Sequence, residues 1–283
     1  MTELLVTGAD GQLGRALLAE AHSRGLAAEG HDLDTLDIRD AAAVRELVGW
    51  LRPRVVVNCA AFTAVDACEE REAEALAING TAVGHLAAAS DLAGAVMVQI
   101  STDYVFSGEQ DGPYREEDPP HPINAYGRTK LRGEELARTA QEHLVVRTAW
   151  LYGDGGHSFV EAIRGQLDAG AREIRVVNDQ QGCPTYAVDL AAALLDLLER
   201  GARGVVHAVS SGSTSWYGLA LEIVQRLGSP ATVVPVPSEA FPRPARRPRN
   251  SVLDTSRLSE LLGRPMPDWR DALGRYLEVE CAS

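Results

Sequence analysis

The chain has 283 residues, 45% of them hydrophobic, and a formal net charge of −13. That length can bury a large core, as one big domain or two closely joined ones, while the acidic balance opposes nonspecific attraction to nucleic acid or to an anionic membrane. No apolar run approaches the length of a membrane span, and the opening "MTELLVTGADGQLG" lacks a basic region followed by an apolar one, so a cytoplasmic protein is expected. Four cysteines, Cys59, Cys68, Cys183 and Cys281, form neither a CxxC pair nor a disulfide framework and are expected as reduced thiols.

Leu4 to Thr7 form a short apolar run that meets Gly8, and an alanine- and leucine-rich segment follows from Gly11 to about Arg24, which together read as strand, tight turn and helix. Further strands are expected at 26–30, 55–58, 94–101, 143–148, 174–177 and 204–210, and helices at 41–51, 69–93, 125–140 and 188–199. Near-continuous apolar strands alternating with helices imply an α/β fold, a doubly wound parallel sheet of Rossmann type covered on both faces. Beyond Thr148 the loops lengthen and a proline-rich stretch occupies 235–250, followed by short helical patterns near 256–262 and 268–277. The chain therefore divides into residues 1–150 and a second, smaller lobe built mainly from 151–283, interleaved because 186–212 is expected to return to the first sheet.

"TGADGQLG" sets Gly8, Gly11 and Gly14 between the first strand and the first helix. Glycines permit a sharp turn and close backbone approach, and the helix amino end offers free N–H groups to a pyrophosphate, so residues 1–150 read as a dinucleotide-binding domain. About twenty residues on, Asp32, Asp34 and Asp37 follow the second strand, where a carboxylate can take the ribose hydroxyls of NAD. Asp37 with Ile38 is the expected adenine contact, whereas Arg15, just after the third glycine, keeps a 2′-phosphate and hence NADP open.

One lysine, Lys130, stands among 27 basic residues, and Tyr126 precedes it by four. On a helix over 125–140 the two share a face. An ammonium beside a phenol favours the phenolate, so Lys130 is expected to lower the pKa of Tyr126 and ready it for proton exchange with a carbonyl. A planar, always charged guanidinium would serve poorly in that compact place. The fourth strand ends in "QISTDYVFSG", which puts Ser101, Thr102 and Asp103 at the carboxyl edge of the sheet, where ligands bind in such folds.

The glycine turn, "NCAAFTAVD" after the third strand, the hydroxyls ending the fourth and YxxxK together resemble the extended short-chain dehydrogenase/reductase superfamily. Within it "STDYVFSG", "NAYGRTKLRGE", "VVRTAWLYG", "NDQQGCPT" and "RPRNSVLDTSRL" are similar to the dTDP-4-dehydrorhamnose reductase family, over residues 4 to about 262. The resemblance implies reduction of the C4 ketone of a dTDP-linked 4-keto-6-deoxy sugar with NADPH or NADH. It makes Tyr126 the proton donor, Lys130 its modulator and Thr102 the hydroxyl that steadies the ketone oxygen. Gly11, Gln12 and Leu13 would lie under the pyrophosphate, and Ala60, Thr63, Ala64 and Val65 along the middle of the cofactor. Asp103 and Trp150 would border the sugar, with Arg247 and Asn250 of the arginine-rich "RPARRPRN" on the substrate side.

Some members bind a divalent metal at a dimer contact through an acidic residue just after the third glycine. Arg15 stands there, so no metal is expected, and a homodimer is left open. Dehydratases of the superfamily carry an Asp-Glu pair after the threonine, whereas here Asp103 is followed by Tyr104, which favours simple reduction. Reduction of another 4-keto deoxysugar is the nearest rival, and a cofactor-binding regulatory subunit, with no need of a complete Thr102, Tyr126 and Lys130 set, is the rival from a different class.

Overall fold

The computed structural model describes residues 2–281, the side chains of 280 and 281 excepted. The first half alternates β1 (Leu4–Thr7), α1 (Gln12–Ser23), β2 (Ala28–His31), α2 (Ala41–Leu51), β3 (Val55–Asn58), α3 (Val65–Glu70), α4 (Glu72–Leu76), α5 (Ala82–Ala93), β4 (Val96–Thr102), α6 (Ala125–Ala137) and β5 (His143–Thr148). Together with Gly204–His207, these strands make a six-stranded parallel sheet in the order Gly204–His207, β5, β4, β3, β1, β2.

Successive side chains on a strand face opposite ways, and the strands are apolar on both faces. Leu4, Val6, Val57, Val98, Leu144 and Val146 pack with Leu17 of α1 and Leu190 of the helix Ala187–Glu199. Their neighbours Leu5, Val56, Met97 and Val145 pack on the other face with Val44 and Val48 of α2 and Leu86 of α5. Since β1 pairs with β2 on one side and β3 on the other, the crossovers diverge there and a crevice opens at the carboxyl ends of the strands.

The single helix expected over 69–93 is broken. Arg71, at φ −121° and ψ 40°, separates α3 from α4, and a π turn at Ala77–Thr81 precedes α5. That turn aims Asn79 inward, where its side chain accepts from Phe62 N and donates to Phe62 O and Thr129 Oγ1. The alanine-rich composition common to these pieces hides the break, which depends on partners far along the chain.

The smaller lobe has its own core, with Ile163, Ile174, Leu219, Ile223 and Trp269 around a parallel pair of strands, Glu173–Val177 and Thr232–Val236. The start of the proline-rich stretch thus belongs to a strand, tolerated because this sheet has two strands and Pro235 sits in an edge. Among the described residues no helix is long and apolar enough to cross a membrane, and Cys59, Cys68 and Cys183 are free thiols. The side chain of Cys281 lies outside the described residues.

Candidate active site

Gly8 has φ +70°, and a Cβ there would lie 2.4 Å from Ala60 N. A Cβ on Gly14 would lie 2.2 Å from Gly8 O and 2.8 Å from Ala9 Cα, so β1, the turn and α1 approach too closely for any side chain. Gly11 occupies the N-cap position of α1 and supplies no capping side chain, which leaves the first-turn N–H groups and their partial positive charge facing the crevice. Gly14→Ala is expected to weaken dinucleotide binding at least tenfold, measured by fluorescence titration, because the obstructing atoms are backbone and relief requires the turn to move.

From this turn a cleft of about 850 Å³ runs along the ends of the strands into the smaller lobe, within the usual size range of ligand pockets. Gly8, Gly11, Gln12, Leu13 and Gly14 form its floor at one end, with Asp37, Ile38, Ala60, Thr63 and Val65 beside them. Thr102, Asp103, Tyr126, Lys130 and Trp150 line the other end. Ala64 is the N-cap residue of α3 and is not among the lining residues.

The aspartates after β2 separate by partner. Asp32 accepts from Asp10 N of the glycine turn at 2.9 Å, whereas Asp37 is held by Arg39, which donates from Nε at 2.9 Å and from Nη2 at 2.7 Å. The Arg39 hydrogen bonds keep the Asp37 carboxyl below the usual carboxylate range. Arg15 donates from Nε to Asp10 O at 2.7 Å and lies against Gly155.

Thr102 ends β4, and its hydroxyl donates to Asp103 Oδ1 at 2.9 Å. Tyr126 stands in the first turn of α6, edge-on to Tyr104 with ring centroids 5.9 Å apart. Asn124 caps that turn, accepting from Gly127 N at 2.8 Å and donating from Nδ2 to Arg246 O at 2.8 Å. A Cβ on Gly127 would sit 2.1 Å from Tyr104 O, so this glycine lets α6 close on the end of β4. Lys130 is buried and donates to Ile100 O at 2.7 Å. The same carbonyl accepts from Gln99, Gln99 accepts from Asn58, and Asn58 accepts from Thr7, a buried chain crossing the ends of β1, β3 and β4.

The expected acidification of Tyr126 by Lys130 is corrected here. Burial, and after it the Asp103 carboxylate, push the phenol up, and the hydrogen bond with Thr102 opposes them only in part. Lys130 is turned to the Ile100 carbonyl, and its own burial pushes it down to about 8. The phenol is therefore held as a neutral donor.

Asp103 is 2% exposed with Oδ2 unpartnered, and burial pushes its carboxyl up to about 6. A carboxyl whose native value exceeds its unfolded one ionises at a cost in the fold, so stability falls as pH rises from about 4 to about 6 and stays lowered above. Asp103→Asn is expected to stabilise the cofactor-free protein at pH ~7.5 by on the order of 1–2 kcal/mol, an advantage that disappears below pH ~4 in thermal melts.

Two residues expected at the substrate do not line the cleft. Arg247 is paired with Asp66, with Nη2 2.9 Å from Oδ2, and touches the Tyr104 hydroxyl. Asn250 donates to Gln110 O and Gly112 O at 2.8 and 2.9 Å, so its amide serves the loop and does not point to a ligand. Conversely, sequence reasoning missed Trp216 and Phe159, which line the cleft. Trp216 stacks on Trp150 with centroids 3.4 Å apart, and Trp150 itself has φ +46°. No motif surrounds Trp216, so only the folded lobe reveals it. Among the described residues no group of three His, Cys, Asp or Glu side chains could hold a metal ion.

Residues 1–281 match the family described as RmlD substrate binding domain. A dTDP-4-dehydrorhamnose reductase of Streptomyces griseus is 46% identical, covering 98% of this chain and 93% of its own. A protein of Streptomyces antibioticus named as a probable dTDP-4,6-dihydroxy-2-methyloxan-3-one 4-ketoreductase is 44% identical, over 95% of this chain and 92% of its own. The crystal structure of a dTDP-4-dehydrorhamnose reductase from Bacillus anthracis in complex with NADP superposes with a TM-score of 0.94 at 36% identity, covering 99% of this chain and all of the other.

Proposed function

The chain belongs to the dTDP-4-dehydrorhamnose reductase family, and from that premise we propose that it reduces the C4 ketone of dTDP-4-dehydrorhamnose to the hydroxyl of dTDP-L-rhamnose with NADPH or NADH. The dinucleotide, when bound, supplies the hydride. The glycine turn suits its pyrophosphate, with N–H groups left uncapped by any side chain and backbone close enough to exclude a Cβ. Gly8, Gly11, Gln12, Leu13 and Gly14 hold that group, Asp37 and Ile38 face the adenosine, and Ala60, Thr63 and Val65 follow the chain of the cofactor toward its reactive end.

Tyr126 gives its phenolic proton to the ketone oxygen as that oxygen gains charge. Thr102 turns its one proton from Asp103 Oδ1 to the same oxygen, and Lys130 binds the ribose hydroxyls while its positive charge offsets that of the phenolate that is left. Asp103 and Trp150 border the sugar. The reading is carried by one observation: Thr102, Tyr126 and Lys130 line the same cleft that begins at the glycine turn.

The test is consumption of NADPH or NADH, followed by its near-ultraviolet absorbance, on addition of dTDP-4-dehydrorhamnose, with the product configuration determined by NMR. Turnover to the rhamno product is expected. The likeness to a 4-ketoreductase of a different dTDP-sugar supports a second reading, reduction of another 4-keto deoxysugar. Turnover confined to such a sugar would establish it in place of the first.

A further inference from the structure

Glu134 follows Lys130 by one helical turn and Tyr126 by two, so the three side chains share a face of α6. It is fully buried and its carboxylate is saturated. Oε1 accepts from Ser101 Oγ at 2.6 Å and Arg147 Nε at 2.8 Å, and Oε2 accepts from Arg147 Nη2 at 2.8 Å and Arg138 Nη2 at 3.1 Å. Ser101 and Arg147 are register partners on β4 and β5, and Ser101 immediately precedes Thr102. The carboxylate thus ties α6 to two strands directly behind the hydroxyl and amine of the cleft. Apolar residues of the same volume would hold a helix as firmly as a buried ion pair does, so stability alone gives no reason for the charge.

We propose that Glu134 is a positioning residue for the reduction: one turn from Lys130 and bonded to Ser101 and Arg147, its carboxylate seats the face of α6 against the end of β4 and sets the surroundings of the amine. The consequence for turnover rests on the reductase reading, whereas the charge on Lys130 does not.

Around Lys130 stand Tyr126 on the same helix, the Ile100 carbonyl of β4 and Cys59 beyond β3. Burial pushes both the phenol and the thiol upward, so neither is charged near neutral pH. Burial lowers Lys130, and of the influences that oppose it Glu134 is the larger, Cys59 the smaller. Behind Glu134 lie Arg147 of β5, Arg138 at the C-cap of α6 and His207 of the outer strand, 3.3 Å from Arg147 Nη1. Burial and then Arg147 push His207 down to about 3, which leaves it neutral.

Because Lys130 is the sole lysine, carbon-13 labelling of lysine Cε gives a single side-chain NMR resonance, whose pH titration reads this amine in the cofactor-free protein without any turnover. Glu134→Gln combined with Arg147→Gln replaces the buried pair by neutral groups and is expected to lower the titration midpoint by a few tenths of a pH unit, roughly, because the carboxylate one turn from the amine outweighs the guanidinium behind it. Arg138→Gln, at a side chain 41% exposed and therefore safe for folding, removes one cation from the same carboxylate and is expected to raise the midpoint by a few tenths of a unit, roughly. An unchanged midpoint in Arg138→Gln overturns the proposal even if the double variant does not fold, and an unchanged midpoint in a folded double variant overturns it independently. In the turnover assay the alkaline limb of kcat moves with these midpoints; a limb that stays in place while they move refutes the positioning role. A wild-type protein that turns over no sugar would count against the reductase reading and leave the titration to decide on Glu134.

Discussion

Tyr126→Phe is expected to lower kcat by a factor of order a hundred or more, while the dissociation constant for NADPH stays within about twofold of the parent value. The substitution removes one oxygen and keeps the ring, so the edge contact with Tyr104 and the cap by Asn124 persist and α6 remains in place. A hundredfold loss corresponds to about 2.7 kcal/mol of transition-state stabilisation. The magnitude is that of a positioned proton donor, with Thr102 and Lys130 left to polarise the ketone without one. Burial keeps the phenol protonated, so the loss persists across the neutral range and does not merge with the parent as pH falls. Near-normal turnover with Phe at this position would remove Tyr126 from the reaction.

Lys130→Arg follows as the second large effect, a fall in kcat of roughly ten- to a hundredfold together with a rise in the KM for NADPH. Lys130 is 3% exposed, with its nitrogen 2.7 Å from Ile100 O, and that carbonyl already accepts from Gln99. A guanidinium brings five donors and a larger plane into a space closed by β4, and overpacking of this kind displaces neighbouring backbone at a cost of about 1–3 kcal/mol. The displaced neighbours are the end of β4 and Thr102 behind it, so catalysis suffers along with the cofactor. Steady-state kinetics beside a thermal melt separates the two, and full activity in a stable Lys130→Arg protein would make the lone lysine an accident of composition.

The parts of this protein legible from sequence are those set by neighbours in the chain. Short apolar runs placed the six strands of the main sheet to within a few residues, and a YxxxK pair one turn apart located the amine and phenol, because helix and strand periodicities are local geometry. Even the glycine turn is local in its pattern, although the reason for Gly8 is Ala60, fifty-two residues away.

What the tertiary structure decided concerns groups whose behaviour depends on distant partners. The run of aspartates does not announce its partners, yet Asp32 accepts from the glycine turn and Asp37 is held by Arg39. Arg247, expected on the substrate side, is paired with Asp66, a partner 181 residues away that no local pattern announces. Trp216 carries no motif, and it meets Trp150, 66 residues earlier in the chain, only in the folded protein. The pKa of Tyr126 was misread from the lysine at i+4, since desolvation and the Asp103 charge act through space and outweigh a neighbour on the same helix. Residue spacing along a chain sets which side chains can share a face. Burial and partners, which fix charge and availability, exist only once distant segments have packed together.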